Sequence, residues 1–282
     1  MSHSVIITAD STCDLPAPLR QKYDLSISPL YINMGEKAYR DGIDLVQDDI
    51  YRYVKQTDDL PKTSAVTVSD YLEFFAPFVK EGKTVIHFTI CRTMSCCYQN
   101  AVIAAKELGN VCVVDSGNLS CGISLLALRA AELAEKGMEA GEILKTIEQL
   151  IPKVETSFVV DTLRYLHKGG RCSAVAALGA NLLALKPCIE VQDEAMTVGK
   201  KYRGNLEKCL SSYVADRLKG RTDLDLSRIF IVHSSMPEGV FESLVQLVKG
   251  LSPFKDYIEA DAGSTICSHC GPGTFGLMFL RK

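Results

Sequence analysis

No serine in the chain sits in a G-x-S-x-G nucleophile elbow, and no stretch reads G-x-x-x-x-G-K-[ST]. The first absence argues against an α/β-hydrolase serine and the second against a P-loop nucleotide site. There is one C-x-x-C, Cys267 to Cys270, without a second pair or an H-x-x-x-H to complete four zinc ligands. Basic excess is missing as well. The formal net charge is −3, so no overall field draws a phosphate backbone and nucleic acid is set aside as a partner. The longest apolar-rich run, Ser173 to Leu185, is too short to span a bilayer and carries Asn181, so the chain reads as not transmembrane. Its opening segment, MSHSVIITADST, has no cationic stretch before the apolar residues and reaches Asp10 too soon for a secretory signal, which makes a cytoplasmic location the expectation.

What is present suits a soluble α/β protein. At 282 residues, with 47% hydrophobic and 23% charged, the chain can bury two medium cores. Eleven cysteines, an odd number scattered through apolar segments such as VCVV and KPCIEV, behave as reduced buried thiols.

The hydrophobic pattern predicts strands at SVIITAD, SISPLYINM, KTVIHFTI, NVCVVDS, ETSFVVDT and RIFIVHS, with hairpins at KAYRDG and across CIEVQDEAMTVGKKYRG. Helices are expected over Gln47 to Lys55, Ser69 to Lys80 with Ser69 as cap, Ser95 to Glu107 with Ser95 as cap, and Leu206 to Lys219. Ser120 to Lys136 and Ala140 to Leu150 read as two amphipathic helices, and a small-residue helix runs through Leu185. Two strands close the chain, and the CSHC segment is placed in the strand leading to Gly271-Pro272-Gly273. Alternation of strands and helices argues for α/β layers with mainly parallel sheets, divided near Pro152 into domains 1–153 and 154–282. Ligands of such sheets bind where strands end, and there ITADST, HFTICRTMS, CVVDS and FIVHSS gather hydroxyl groups rather than lysines.

Several clusters carry two readings. Cys267 and Cys270 are either a metal or redox pair or two ordinary thiols. His269, between them and just before Gly271, either bonds a neighbouring backbone group or meets a ligand that the glycine lets approach. Thr63-Ser64 is a solvated loop or a pair of ligand hydroxyls. Ser95 opens a helix, where capping and carboxylate binding are compatible. HKGGR, His167 to Arg171, offers glycines and a cation but matches neither common nucleotide motif. Ser95 and His269 with Asp10 or Asp115 could also compose a triad.

Across its full length the chain closely resembles the DegV family, the bacterial fatty-acid-binding proteins that include the FakB subunits of fatty acid kinase. The likeness rests on ITADSTCDLP, KTSAVTVSDY, FTICRTMSCCYQNA, VVDSGNLSCGISLLALRAAELAEKG, DTLRYLHKGGRCSAVAALGANLLALKP and GSTICSHCGPGTFGL, in that order. The resemblance implies two α/β domains enclosing one long-chain fatty acid, such as palmitate, stearate or oleate, in a tunnel at their interface. Carried over by motif, Thr63, Ser64, Ser95 and His269 hold the carboxylate, with Gly271 beside them. Arg171 and Arg203 lie near a face that docks an ATP-dependent kinase. It further implies no cofactor, no metal and no catalytic residue in this chain. Its role is then that of a carrier whose ligand becomes an acyl phosphate for phospholipid synthesis; separately from the resemblance, a monomer is the expectation.

This chain departs from the family's pattern where Cys91-Arg92 replaces a pair of serines and Cys96-Cys97 replaces Gly-Thr, and Arg92 becomes a candidate compensating charge. Two alternatives stay open: a hydrolase or transferase acting on an acyl substrate through Ser95 and His269, and a metal or thiol sensor built on Cys267 and Cys270.

Overall fold

A computed structural model describes residues 4–176 and 185–282. Val5–Asp10 is buried at every residue because it lies inside a four-stranded parallel sheet, between Ser26–Ser28 and Thr84–Thr89, with Val111–Asp115 beyond. Such a strand faces apolar layers on both sides and therefore reads as a continuous apolar run. SISPLYINM breaks at Pro29, which has no N–H to continue a ladder, and Tyr31–Met34 enters a separate three-stranded sheet with Lys37–Arg40 and Lys62–Ser64.

The second large sheet has six strands in the order Ala195–Arg203, Leu185–Gln192, Val154–Val159, Phe275–Arg281, Leu224–His233 and Asp256–Asp261. Only its last two strands pair in parallel, and the three-stranded sheet is wholly antiparallel, so the expectation of mainly parallel sheets holds for the four-stranded sheet alone. Phe275–Arg281 enters the middle of that sheet antiparallel to both neighbours, a long-range pairing that local periodicity does not encode. Its side chains alternate: Phe275, Leu277 and Phe279 enter a core on the outer face, while Met278 and Leu280 join the core shared with the first sheet. The expected division at 153/154 falls between the tight turn Ile151–Lys153 and the strand Val154–Val159.

Between the two sheets lies Cys121–Glu135. It was expected to be amphipathic, but it packs on both sheets and is buried on nearly all sides, as a helix without a polar face must be. Ala140–Leu150 is amphipathic as expected, burying Ile143 and Ile147. Two caps differ from expectation. Val68–Lys80 starts from Thr67, whose hydroxyl accepts the Asp70 N–H while the Asp70 carboxylate accepts the Thr67 N–H, a reciprocal box that Ser69 cannot make. Cys97–Leu108 has Cys96 at its cap position, and Ser95 reaches in from one residue earlier to accept the Cys97 N–H at 3.3 Å. The small-residue helix is described over Ser173–Ala176; residues 177–184 lie outside the described residues, and Leu185, its expected end, instead begins a strand.

Candidate functional site

The CSHC segment is helical, not extended. Ser264–Cys270 forms a short helix that starts where the buried Asp14 carboxylate accepts the Gly263 N–H at 3.0 Å and ends at Gly271, φ +78°. Asp14 lies about 250 residues away in sequence, so a local run of β-branched and thiol residues gave no sign of this anchor. A side chain on Gly271 would meet the Tyr165 ring at 2.5 Å, which explains that glycine by packing and conformation rather than by approach of a ligand.

This helix carries His269 to Lys62–Ser64, a strand of the small sheet. Antiparallel pairing aligns Thr63 with the fully buried Ile32 and Ser64 with Tyr31, so the two hydroxyl residues face opposite ways. Thr63 turns inward and its Oγ1 lies 2.8 Å from His269 Nε2. Ser64 turns outward, where its hydroxyl accepts from Asn33 Nδ2 at 2.8 Å. On its other edge the imidazole packs on Gly169, where any Cβ would overlap Nδ1. The glycines of HKGGR thus do not cradle a phosphate: Gly169 seats the histidine, and Gly170 ends the helix Arg164–Gly169 in the left-handed region. Burial, with the Arg171 charge nearby, lowers the His269 pKa to about 4, so the ring is neutral at pH 7.

Around this pair opens a cavity of about 560 Å³, its mouth included. Thr63, Ser64, Ser95, Arg171 and His269 supply its polar wall. Leu30, Ile90, Met94, Leu166 and Met196 supply much of its apolar wall. Leu119, Ile266 and Cys270 are shared with a second, much smaller apolar pocket that continues between Phe158, Val232, Gly276 and Met278. The pair of cavities therefore runs from a polar end into the seam between the central helix and the six-stranded sheet.

Ser95 is placed by the loop after Thr84–Thr89. The Asp10 carboxylate accepts the Ile90 N–H at 3.0 Å, and the Asn118 carbonyl accepts the Cys91 N–H at 2.9 Å. Arg92 is not on the cavity wall. It pairs with Glu194 at 2.9 Å and Asp115 at 3.2 Å, so its charge is spent on carboxylates of the protein itself. Gly271 and Arg203 also lie off the described wall, whereas Arg171, expected at a docking face, lines it and donates to the Gly169 carbonyl at 2.9 Å.

A triad does not form among these groups. His269 pairs with Thr63 rather than Ser95, its Nδ1 has no partner among the described residues, and Asp10 is committed to Tyr71, His87 and Ile90. Cys267 and Cys270 are buried thiols whose pKa values burial raises, the state in which sulfur is least reactive. Among the described residues, side chains close enough to share an ion occur at Cys91, Asp115 and Glu194, where Arg92 already pairs with both carboxylates. One pattern in the sequence was passed over: Gly271 to Gly276 spells G-x-G-x-x-G. It leads from a helix into a strand, the reverse of the dinucleotide-binding order. Sequence reasoning also missed Met196, Leu119 and the seating role of Gly169, of which only the last had a signal, in the HKGGR motif.

The family model matching residues 4–282 is described as "Uncharacterised protein, DegV family". A DegV domain-containing protein of Clostridium acetobutylicum is 32% identical over 278 residues, covering 98% of each chain. A fatty acid-binding protein of Thermotoga maritima is 30% identical over 99% of both. Among solved structures, the chain superposes on a fatty-acid-binding DegV family protein of Thermus thermophilus with a TM-score of 0.86 and 30% identity, covering 99% of each. It superposes on a stearic acid-binding protein of Eubacterium ventriosum with a TM-score of 0.84 and 27% identity, covering 98% of each. With matched motifs, a two-domain α/β fold and near-complete coverage, the chain belongs to the DegV family.

Proposed function

We propose that this protein binds a single long-chain fatty acid, its carboxylate at Thr63, Ser95 and His269 and its tail in the apolar seam. The observation that carries the reading is the polarity of the paired cavities: hydroxyls and an imidazole at one end, aliphatic and aromatic side chains at the other. Each methylene buried there contributes about 0.8 kcal/mol, so a long acyl chain supplies most of the affinity while the head group sets its direction. Ser64 stands at the mouth and Arg171 adds a cation beside the carboxylate.

The chain then serves as a carrier that presents its ligand to a separate ATP-dependent kinase. A carboxylate oxygen attacks the γ-phosphorus, the bond to ADP breaks, and an acyl phosphate passes to phospholipid synthesis. Neutral hydroxyl donors support this, since they orient a carboxylate and leave an oxygen free to attack. Arg171 and Arg203 belong to the docking face in this reading, the carrier is monomeric and cytoplasmic, and the chain divides into domains 1–153 and 154–282. No helix among the described residues is long and apolar enough to cross a membrane.

Native purification, solvent extraction and mass spectrometry test the carrier step. About one fatty acid per chain is expected. A protein that is empty and takes up neither palmitate nor oleate sinks the reading.

A further inference from the structure

The head-group site leaves Cys91 and Arg92 without a role, and both meet the tip of a hairpin from the other half of the chain. Glu194 forms that tip, at φ +62° between Leu185–Gln192 and Ala195–Arg203. Its backbone carbonyl accepts from Thr93 Oγ1 and, at 3.3 Å, from the Cys91 thiol. The Cys91 sulfur, an Asp115 carboxylate oxygen and a Glu194 carboxylate oxygen all lie within 4.8 Å of one another. We infer that these three side chains form a zinc site, in which Zn²⁺ takes the place Arg92 holds between the carboxylates and fastens the hairpin to the first sheet.

The donors suit that ion. Sulfur disfavours Mg²⁺ and Ca²⁺, a single sulfur among oxygens disfavours Cu⁺, and three protein ligands leave the fourth tetrahedral position to water. Asp115 is oriented as a ligand is oriented. Its Oδ1 accepts the Arg92 backbone N–H at 3.2 Å and the Gly117 N–H at 3.0 Å, which fixes the carboxylate and presents Oδ2. That oxygen is buried without a hydrogen-bond partner among the described residues, since Arg92 Nε comes within 3.2 Å of it but does not donate to it. Arg92 is a weak occupant. One guanidinium faces two carboxylates, so a negative charge is left over, and its side chain is 54% exposed, where water competes for the pairing. On binding, the Cys91 S–H gives its proton to water, the S–Zn bond forms, and the guanidinium turns out to solvent. Met94 and Ser95 follow Cys91, and Met196 follows Glu194, so the ion ties together two parts of the cavity wall.

Cobalt(II) is the probe, because a thiolate ligand gives it an intense charge-transfer band that displacement by zinc abolishes. Reduced, metal-free protein is expected to bind about one cobalt per chain with that band. Cys91→Ser should remove the band, and Asp115→Asn and Glu194→Gln should each weaken cobalt binding at least tenfold. Cys96→Ser, at an exposed thiol, should leave it unchanged. Arg92→Ala separates a metal site from an ion-pair cluster: without the competing cation, binding should tighten about threefold. Arg92 and Glu194 are both exposed, so their variants decide the matter even where Cys91→Ser fails to fold. No band in the unmutated protein, a band that survives Cys91→Ser, or binding no tighter in Arg92→Ala overturns the zinc site. Every measurement is made without fatty acid, so the carrier reading stands or falls separately.

Discussion

The molecule contains two threonine–histidine pairs of nearly equal length, and they differ in what surrounds the second ring nitrogen. Thr8 Oγ1 lies 2.9 Å from His87 Nδ1, and His87 Nε2 lies 3.1 Å from Asp10, which also takes the Tyr71 hydroxyl and the Ile90 N–H. Every polar atom of that cluster has a partner, and Thr8, Asp10 and His87 are all fully buried. Thr63 Oγ1 lies 2.8 Å from His269 Nε2, but His269 Nδ1 has no partner among the described residues and the pair borders a cavity. Saturated polarity serves the fold, and polarity left incomplete beside an apolar space is, in the function proposed above, where the ligand's head group sits.

The sharpest way to break this contrast is Asp10→Ala. It strands three donors at a buried point, and a loss of about 3–5 kcal/mol in denaturant unfolding is expected. A loss below about 1 kcal/mol would show that the inner cluster is not structural.

Acid should act on the outer pair. The ring's folded pKa of about 4 lies below its unfolded value near 6.5, so the unfolded chain binds more protons between those limits and stability falls as pH falls through them. The loss is at most roughly 3 kcal/mol, from 1.36 kcal/mol per pKa unit. Burial raises the pKa values of Asp14 and Asp41, which work in the opposite direction, so the test is the difference between wild type and His269→Gln across pH 6.5 to 4. Parallel stability curves would exclude a buried neutral imidazole.

Gly169→Ala should displace the ring from its seat, at about 1–3 kcal/mol of overpacking strain and roughly tenfold in palmitate affinity. Unchanged affinity would mean that the imidazole's position does not matter to the ligand. Smallest of all is Arg92→Ala. An exposed ion pair is worth about 0–1 kcal/mol, and palmitate affinity should not move. A large drop in affinity would return Arg92 to the head group as a compensating charge.

Much of this architecture was legible because the inner parallel strands and most helices carry their own periodicity. Val5–Asp10 reads as buried from its apolar run, and the hairpin through Asp193 and Glu194 from its turn residues, both at positive φ. The motifs also pointed to Thr63, Ser95 and His269, which the fold brings to one cavity. What stayed hidden depends on distant partners. The helix around His269 starts on Asp14, the cavity wall includes Met196 from another sheet, and Arg92 is claimed by Glu194 about a hundred residues later. Ser64 lines the same cavity as Thr63, but strand pairing, which the motif does not show, turns its hydroxyl to Asn33.

The central place of Phe275–Arg281 also governs how the molecule is made. Its neighbours, Val154–Val159 and Leu224–His233, pair through it and not with each other, so each keeps an open edge until synthesis has passed residue 281. Pairings so far apart in the chain close slowly, and open strand edges invite aggregation while they wait. The four-stranded sheet ends at Asp115 and faces no such delay. A newborn chain therefore spends part of its life half assembled, its first sheet complete and its second dependent on a strand yet to arrive.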